Sequence, residues 1–538
     1  MKKLVQLALV ISFFLHSCVK EKYDSSKLAG SASFSPGIAV PIGYAHMTLQ
    51  KYLNDSTLNK YINIDPTGFI TLVYHQKVFS LPALSAFQFP DRNFNFNIYQ
   101  PAKKKKAFNL EVSDTAYFQI IQQSAGGMRL DSLILSSGMI GLTINNNLNL
   151  QGTYSITFPG IMNKGKALQI QNDLSQTTPA PLDLSAYTIQ CATHNDSSNF
   201  FTAIIDLNIT SGGIVNPGSQ LLGIDFTLHA IQYSVFYGYA GEISIPINNG
   251  NIASFPLNFY NRLLGGNFYF SNPKIKVLFT NSFGVPFEIF FTDIHAATNS
   301  NGSIIVSGVP GAASPKAISY PIMPFAEAKD SIVLDTINSN IGYILEEVPT
   351  QMTFHVVDSI NPSGLPAHQN FVTNSSILEA DLQIELPLQG RTYPLLILED
   401  TLKFEFASFV YTNIQEVKSI DFRLSIKNGF PFEIIPQLYF TDDQFHPLDS
   451  LVINANTNKI LAAPIDANGI VNNTSFSTLD FTFLPSRIQN IQHASHIVTR
   501  GRIKSSSFPK DIKILNKAIY ALDFNIGVII QLQVNTNL

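Results

Sequence analysis

Tryptophan is absent from the 538 residues, cysteine occurs twice, and Asp, Glu, Lys and Arg together make up 13%. An ordinary globular chain is about 25% charged, so half of that complement is missing. Asn, Ser, Thr and Gln fill the gap, because the hydrophobic share of 45% is ordinary. The 34 basic and 38 acidic residues leave a formal net charge of -4. Such a chain has no basic field to steer it onto nucleic acid, which excludes that partner class. The apolar content excludes a disordered protein. After Leu15 no apolar run approaches the roughly 20 residues of a membrane-spanning helix. The length exceeds what one core supports, so two to four domains are expected.

What is there begins with the basic Met1-Lys2-Lys3 and the apolar stretch from Leu4 to Leu15. That stretch is too short to span a bilayer and suits the central region of a signal peptide. It ends in Leu15-His16-Ser17-Cys18, which resembles the lipobox of bacterial lipoproteins. The resemblance implies a signal peptide over 1–17 and acyl chains on Cys18, which hold the mature chain to a membrane. A simple secretory signal with an incidental Cys18 is the alternative. Residues 18–36 read as a flexible, polar tether. Val19 stands where an inner-membrane retention signal has Asp, so the outer membrane is the expected address, with its face left open. Cys191 then lacks an intramolecular partner and reads as a small buried hydrophobe.

The rest of the chain is dominated by period-two alternation. Ile420-Asp421-Phe422-Arg423-Leu424-Ser425-Ile426-Lys427 and Leu382-Gln383-Ile384-Glu385-Leu386 alternate as half-buried strands do. Helical periodicity is confined to Leu49, Tyr52 and Leu53 after the N-cap candidate Thr48. The fold class is all-β.

A repeat lies beneath this pattern. Asn281-Ser282-Phe283 with Pro286-Phe287-Glu288-Ile289 recurs as Asn428-Gly429-Phe430 with Pro431-Phe432-Glu433-Ile434, the asparagines 147 positions apart. A fainter copy has Gly141 to Asn146 followed by Tyr154 to Phe158. Val40-Pro41-Ile42, Ile245-Pro246-Ile247 and Leu386-Pro387-Leu388 read as similar strand exits. These spacings give three units, 37–246, 247–387 and 388–538, the first enlarged by an insertion around 44 to 110. The Asn-Ser and Asn-Gly pairs suit the positive φ of a tight turn. Val277 to Ile289 resembles the core motif of late-embryogenesis-abundant type 2 (water-stress and hypersensitive-response) domains. The chain as a whole resembles Bacteroidetes outer-membrane lipoproteins built of such units. The resemblance implies an elongated tandem array of about three antiparallel β-sandwiches, immunoglobulin- or fibronectin-like, and implies no catalytic residue.

Nucleotide-loop, hydrolase-elbow and zinc-protease motifs are missing from the sequence. His493-Ala494-Ser495-His496 lacks the Glu of a metal helix, and Cys191 with His194 is too local a pair for nucleophilic catalysis. Neither an enzyme, a cofactor nor a metal is expected. Lys103, Lys104, Lys105 and Lys106 read as an exposed loop suited to an anionic surface. Tyr237 and Tyr239 share one strand face and offer a platform for a glycan. Asp followed by Ser or Thr and a small or aliphatic residue places candidate hydroxyls at Ser56, Thr115, Ser132, Ser331, Thr336, Ser359, Thr401 and Ser450. The triplet resembles the O-glycosylation sequon of secreted Bacteroidetes proteins, and equally suits turn capping. The expected function is a lipid-anchored, non-catalytic envelope protein with a binding or structural role. Glycan binding at the surface and lipid handling in the periplasm are the alternatives, and any glycan or protein partner is unidentified.

Overall fold

The computed structural model describes residues 31–54, 59–83, 87–101, 109–121, 127–212, 216–246, 253–257, 263–298, 302–366, 368–403, 414–451 and 459–537. Alternation becomes strand throughout. Ile377–Pro387 switches between buried and half-buried at every residue, as a strand with one face in a core must. The molecule is all-β and built of several antiparallel sheets. The short helix α1 (Leu49–Leu53) forms where expected, with the Lys51 N–H donating to Thr48 Oγ1 at 3.2 Å.

Three units of eight strands each repeat one design, and the strands are lettered A to H in chain order within a unit. In the central unit they are Arg92–Tyr99, Leu110–Gln119, Arg129–Asn145, Gln151–Asn163, Lys166–Asp173, the short pieces Leu182–Asp183 and Thr188–Gln190, Ser197–Ser211 and Gln220–Tyr239. In the middle unit they are Ile70–Pro82, the pieces Ile243–Pro246 and Ala253–Pro256, Lys274–Asn281, Phe287–Thr298, Gly302–Ile305, Ala328–Leu334, Pro349–Ile360 and Ile377–Pro387. In the terminal unit they are Gly37–Thr48, Gln389–Lys403, Val417–Asn428, Phe432–Thr441, Pro447–Leu451, Ser475–Phe483, His496–Ser505 and Ala521–Leu532. In every unit the hydrogen-bonded order is F-C-H-A in one sheet and E-D-G-B in the other. Eight strands in this order make a jelly roll, two interlocked Greek keys, rather than the seven-stranded immunoglobulin arrangement. The helices α2 (Ile341–Glu346) and α3 (Pro485–Ile491) repeat as well, each lying between strands F and G.

The units are nested. The A–B connection of the terminal unit contains the whole middle unit, and the A–B connection of the middle unit contains the whole central unit. Sheets therefore draw strands from across the boundaries at 246 and 387. The stretch around 44 to 110, read as an insertion, instead overlaps the segment that supplies strand A to each unit in turn, at Gly37–Thr48, Ile70–Pro82 and Arg92–Tyr99. The three proline-marked segments occupy non-equivalent places: strand A of the terminal unit, and strands B and H of the middle one. Ser31–Phe34, expected within the tether, pairs antiparallel with Val534–Asn537.

Because neighbouring strands run antiparallel, the A–B, C–D, E–F and G–H connections of a unit share one end, and each nested unit sits there. Central and middle units share one hydrophobic core, with Phe87 lying 6.2 Å from Phe236 and 6.4 Å from Phe283 between ring centres. Strand Asn370–Thr373, from the middle unit's G–H connection, extends the central unit's sheet beside strand H. The terminal unit has its own core, and a smaller cluster of Ala463, Val471, Leu515 and Tyr520 packs with Phe69 where the chain crosses into the middle unit. Strand Leu263–Phe270 ties the same two units by pairing with strand B of the terminal one.

The repeated asparagine has a structural cause. Asn428 Nδ2 donates to the carbonyls of Phe432 and Leu461, each at 2.9 Å, while its Oδ1 accepts the Phe430 N–H at 2.8 Å. Asn281 likewise donates to the Ser319 carbonyl and accepts from the Phe283 N–H. Asn146, in the fainter copy, reaches the carbonyls of Leu150 and Leu174. In each unit the side chain ties the end of strand C to the E–F connection. Positive φ plays no part, for none of Asn281, Ser282, Asn428 and Gly429 has it. Gly429 is required for space instead, since a Cβ there would meet the Ile519 carbonyl oxygen at 1.8 Å.

Candidate ligand-binding face

Three sets of residues singled out in the sequence, Cys18, Ser56 and Lys103 to Lys106, lie outside the described residues. The tyrosine platform does not form. Tyr239 is only 8% exposed, and Tyr237 is half-buried in a strand paired on both sides. Strand H of the central unit is shared with the middle unit, so its aromatic rings are used in packing.

The Asp-Ser/Thr triplets lie mostly within strands rather than in turns. Asp114, Asp330 and Asp449 each accept the backbone N–H of the following Thr115, Ser331 or Ser450, at 2.8, 2.7 and 2.6 Å. All three stand on strands bonded to a neighbour on one side, so the carboxylate occupies a donor that an edge would otherwise present. Asp335, beside Thr336, does cap a turn, accepting from the Ile337 N–H at 2.8 Å. Thr115, Ser331, Thr336 and Thr401 are exposed, whereas Ser132, Ser359 and Ser450 are half-buried.

The two local pairs weighed in the sequence, Cys191 with His194 and His493 with His496, are not assembled into a site. Burial, and then the nearby Asp131, push the Cys191 thiol up to about 12, so it is no nucleophile at neutral pH. His194 stacks on Tyr117 with ring centres 3.6 Å apart instead of facing that thiol. His496 Nδ1 and Ser495 Oγ form a hydrogen bond at 2.9 Å, and the imidazole lies against the Phe445 ring. Among the described residues no group of three His, Cys, Asp or Glu side chains could hold a metal ion. No helix among them is long and apolar enough to cross a membrane.

The outward face of the E-D-G-B sheet of the central unit is different in kind. Strand register lines up Ser113, Asp206, Ser155 and Gln171 across four strands. A second row beside it holds Glu111, Asn208, Thr153 and Asp173, and a third holds Thr115, Ile204, Thr157 and Gln169. The first row, with Glu111, Asn208 and Thr153 of the second, lines an open hollow of about 350 Å³. Within the three rows Gln169 Nε2 donates to Ser155 Oγ at 2.9 Å. Among the described residues Glu111, Asp173 and Asp206 have no ion-pair partner, and no Lys or Arg stands in the rows. The matching sheet of the terminal unit is charged, with Lys504 opposite Glu433, Arg502 beside them and Glu433 paired to Lys459 at 2.9 Å. Along strand B the exposed phase ends in Tyr117, 46% exposed and stacked on His194.

This face was legible only in part. The period-two phase of Leu110–Gln119 marks Glu111, Ser113, Thr115 and Tyr117 as outward, but the partners that complete each row come from register. That register is not written in any one segment.

No family model matches the chain, and no curated protein matches it. Among solved structures the chain is similar to a Parabacteroides distasonis protein described as secreted, 12% identical over 55% of this chain and 88% of that one, with a TM-score of 0.29. It is also similar to a chain of infectious bursal disease virus, Gx strain, at 6% identity over 90% and 87%, TM-score 0.16. A third similarity is to an archaeal virus chain described by its triple jelly roll fold and turret assembly, at 10% identity over 85% and 95%, TM-score 0.11.

Proposed function

We propose that this is a lipid-anchored protein of the bacterial outer membrane, non-catalytic, whose three nested jelly rolls hold a binding face away from the membrane. The observation that carries the reading is the lipobox-like Leu15-His16-Ser17-Cys18 set against the nested order of units. Ser31–Phe34 and strand A of the terminal unit begin at the end of that unit opposite the middle unit. An anchor on Cys18 therefore attaches at one extremity of the chain of units, and the central unit is the last in the series. Resemblance to late-embryogenesis-abundant type 2 domains suits such a membrane-proximal duty. The exposed hydroxyls of Thr115, Ser331, Thr336 and Thr401 are the proposed O-glycosylation acceptors among the described triplets. Lys103 to Lys106, which follow strand A of the central unit in sequence, are the proposed contact with an anionic surface such as lipid headgroups.

Membrane fractionation of cells making the wild type and the Cys18→Ser variant tests the reading. The wild type is expected in the outer-membrane fraction, released by detergent but not by high salt, and the variant is expected to leave that fraction. Equal membrane retention of both would remove the anchor from the proposal.

A further inference from the structure

We infer that the E-D-G-B face of the central unit is a binding site for a neutral oligosaccharide. The inference rests on the binding role proposed above and names its ligand class.

Chemistry selects the ligand. Ser113, Ser155 and Thr153 offer hydroxyls that donate and accept, Asn208 and Gln171 offer amides that do both, and Asp206 and Glu111 offer acceptors for paired hydroxyl groups. This mixture matches a polyol. A phosphate, sulfate or uronate ligand would need cations, and these rows hold none while they present Glu111, Asp173 and Asp206. An apolar ligand would need a greasy floor, and Ile204 is the one aliphatic side chain in the three rows.

Geometry selects its length. Rows of a strand face are two residues apart, so at about 3.4 Å per residue Tyr117 stands ~14 Å along strand B from Ser113. A single sugar in the hollow cannot reach the aromatic ring, whereas an extended oligosaccharide hydrogen-bonded at Asp206 can place a later ring on Tyr117. The stack on His194 fixes the orientation of that tyrosine, so little side-chain freedom is lost on binding. Sugar rings carry C–H groups on one face, which suits an exposed aromatic surface.

Position completes the case. Strand B begins at Leu110, D begins at Gln151, and E and G end at Asp173 and Ser211. The hollow therefore lies toward the end of the central unit that holds no further unit. The equivalent ends of the other two units are taken up by the nested neighbour.

Titration calorimetry on the full mature chain, with cellohexaose, xylohexaose, mannohexaose and maltohexaose and with a heparin hexasaccharide as the anionic comparator, tests the inference. At least one neutral hexasaccharide is expected to bind, and more tightly than its disaccharide. Asp206→Ala and Tyr117→Ala should each weaken it tenfold or more, with the melting temperature held. Arg502→Ala, on the matching sheet of the terminal unit, should leave it unchanged. Tyr117→Ala should cost the disaccharide less than the hexasaccharide. If Asp206→Ala fails to fold, Asp206→Asn replaces it with the same expectation. Absence of binding to all four neutral sugars, equal binding by the variants, or preference for heparin would overturn the inference. Because fractionation of the Cys18→Ser variant is read separately, such a failure would leave membrane anchoring standing.

Discussion

At the scale of single residues, Asp358 is a carboxyl held in the core without a partner. It is fully buried in strand G of the middle unit, and neither carboxylate oxygen has a hydrogen-bond partner. Burial pushes its carboxyl up to about 8, so the folded protein holds it neutral at pH 7. An unfolded chain ionises the same group near pH 4. Between those values the folded state keeps a proton that the unfolded state has lost, so stability falls as pH rises and levels off above about 8. The slope from one such proton is at most about 1.4 kcal/mol per pH unit. Asp330, Asp449 and Asp480 act in the opposite sense. Hydrogen bonds and neighbouring cations hold their carboxyls down despite burial, and the stability they contribute is lost only below about pH 4, as those groups protonate. Urea denaturation across pH 5 to 8 should therefore show falling stability for the wild type and a flatter profile for Asp358→Asn, with the variant the more stable at pH 8. A wild-type profile that is flat or rises across this range would show that Asp358 is ionised in the fold.

At the scale of elements, the turn after strand C explains why the repeat is visible at all. Its buried asparagine donates to a carbonyl at the start of strand D and to one in the E–F connection and accepts the Phe430 N–H, so exchanging it breaks three hydrogen bonds at once. Asn428→Ala should cost about 1–3 kcal/mol in a denaturant titration. Gly429→Ala should cost at least as much, because its Cβ would press on the Ile519 backbone. Ser282→Ala should cost less, since the residue already carries a Cβ and loses one hydroxyl bonded to Ile377. Gly429→Ala at wild-type stability would mean the turn is looser than described. The same elements show what the sequence could and could not carry. Strands, the α1 helix and the 147-residue echo from Asn281 to Asn428 were readable, because alternation, an N-cap and a shared turn are local signals. Helices α2 and α3 were not, being six and seven residues long and seated by Ile344, Leu345, Ile488 and Ile491, whose burial depends on the sheets around them. Nesting was also hidden. Strand A of the middle unit pairs with a strand about 300 residues later, as in Tyr74 opposite Ile384, and no spacing rule anticipates that. An equal repeat length read as beads on a string, when the first strands of the two outer shells had been detached and moved to the front.

At the scale of the whole molecule, nesting joins adjacent units by two chain crossings, not one. Each junction is further tied by a strand lent from the middle unit, Asn370–Thr373 toward the central unit and Leu263–Phe270 toward the terminal one. A single flexible linker would let units swing, whereas double crossings with shared sheets and a shared core favour a fixed spacer. That suits a protein whose central unit presents a polar sheet face and whose terminal unit holds the first described strand. The reading depends on the anchor. Mass spectrometry of the amino-terminal peptide from membrane-extracted protein tests it most directly. The expected result is a mature chain that begins at Cys18 and carries acyl chains on that residue, with the mass gain absent from Cys18→Ser. A mature chain beginning elsewhere, or an unmodified Cys18, would contradict the proposal that this protein is held to the membrane by lipid.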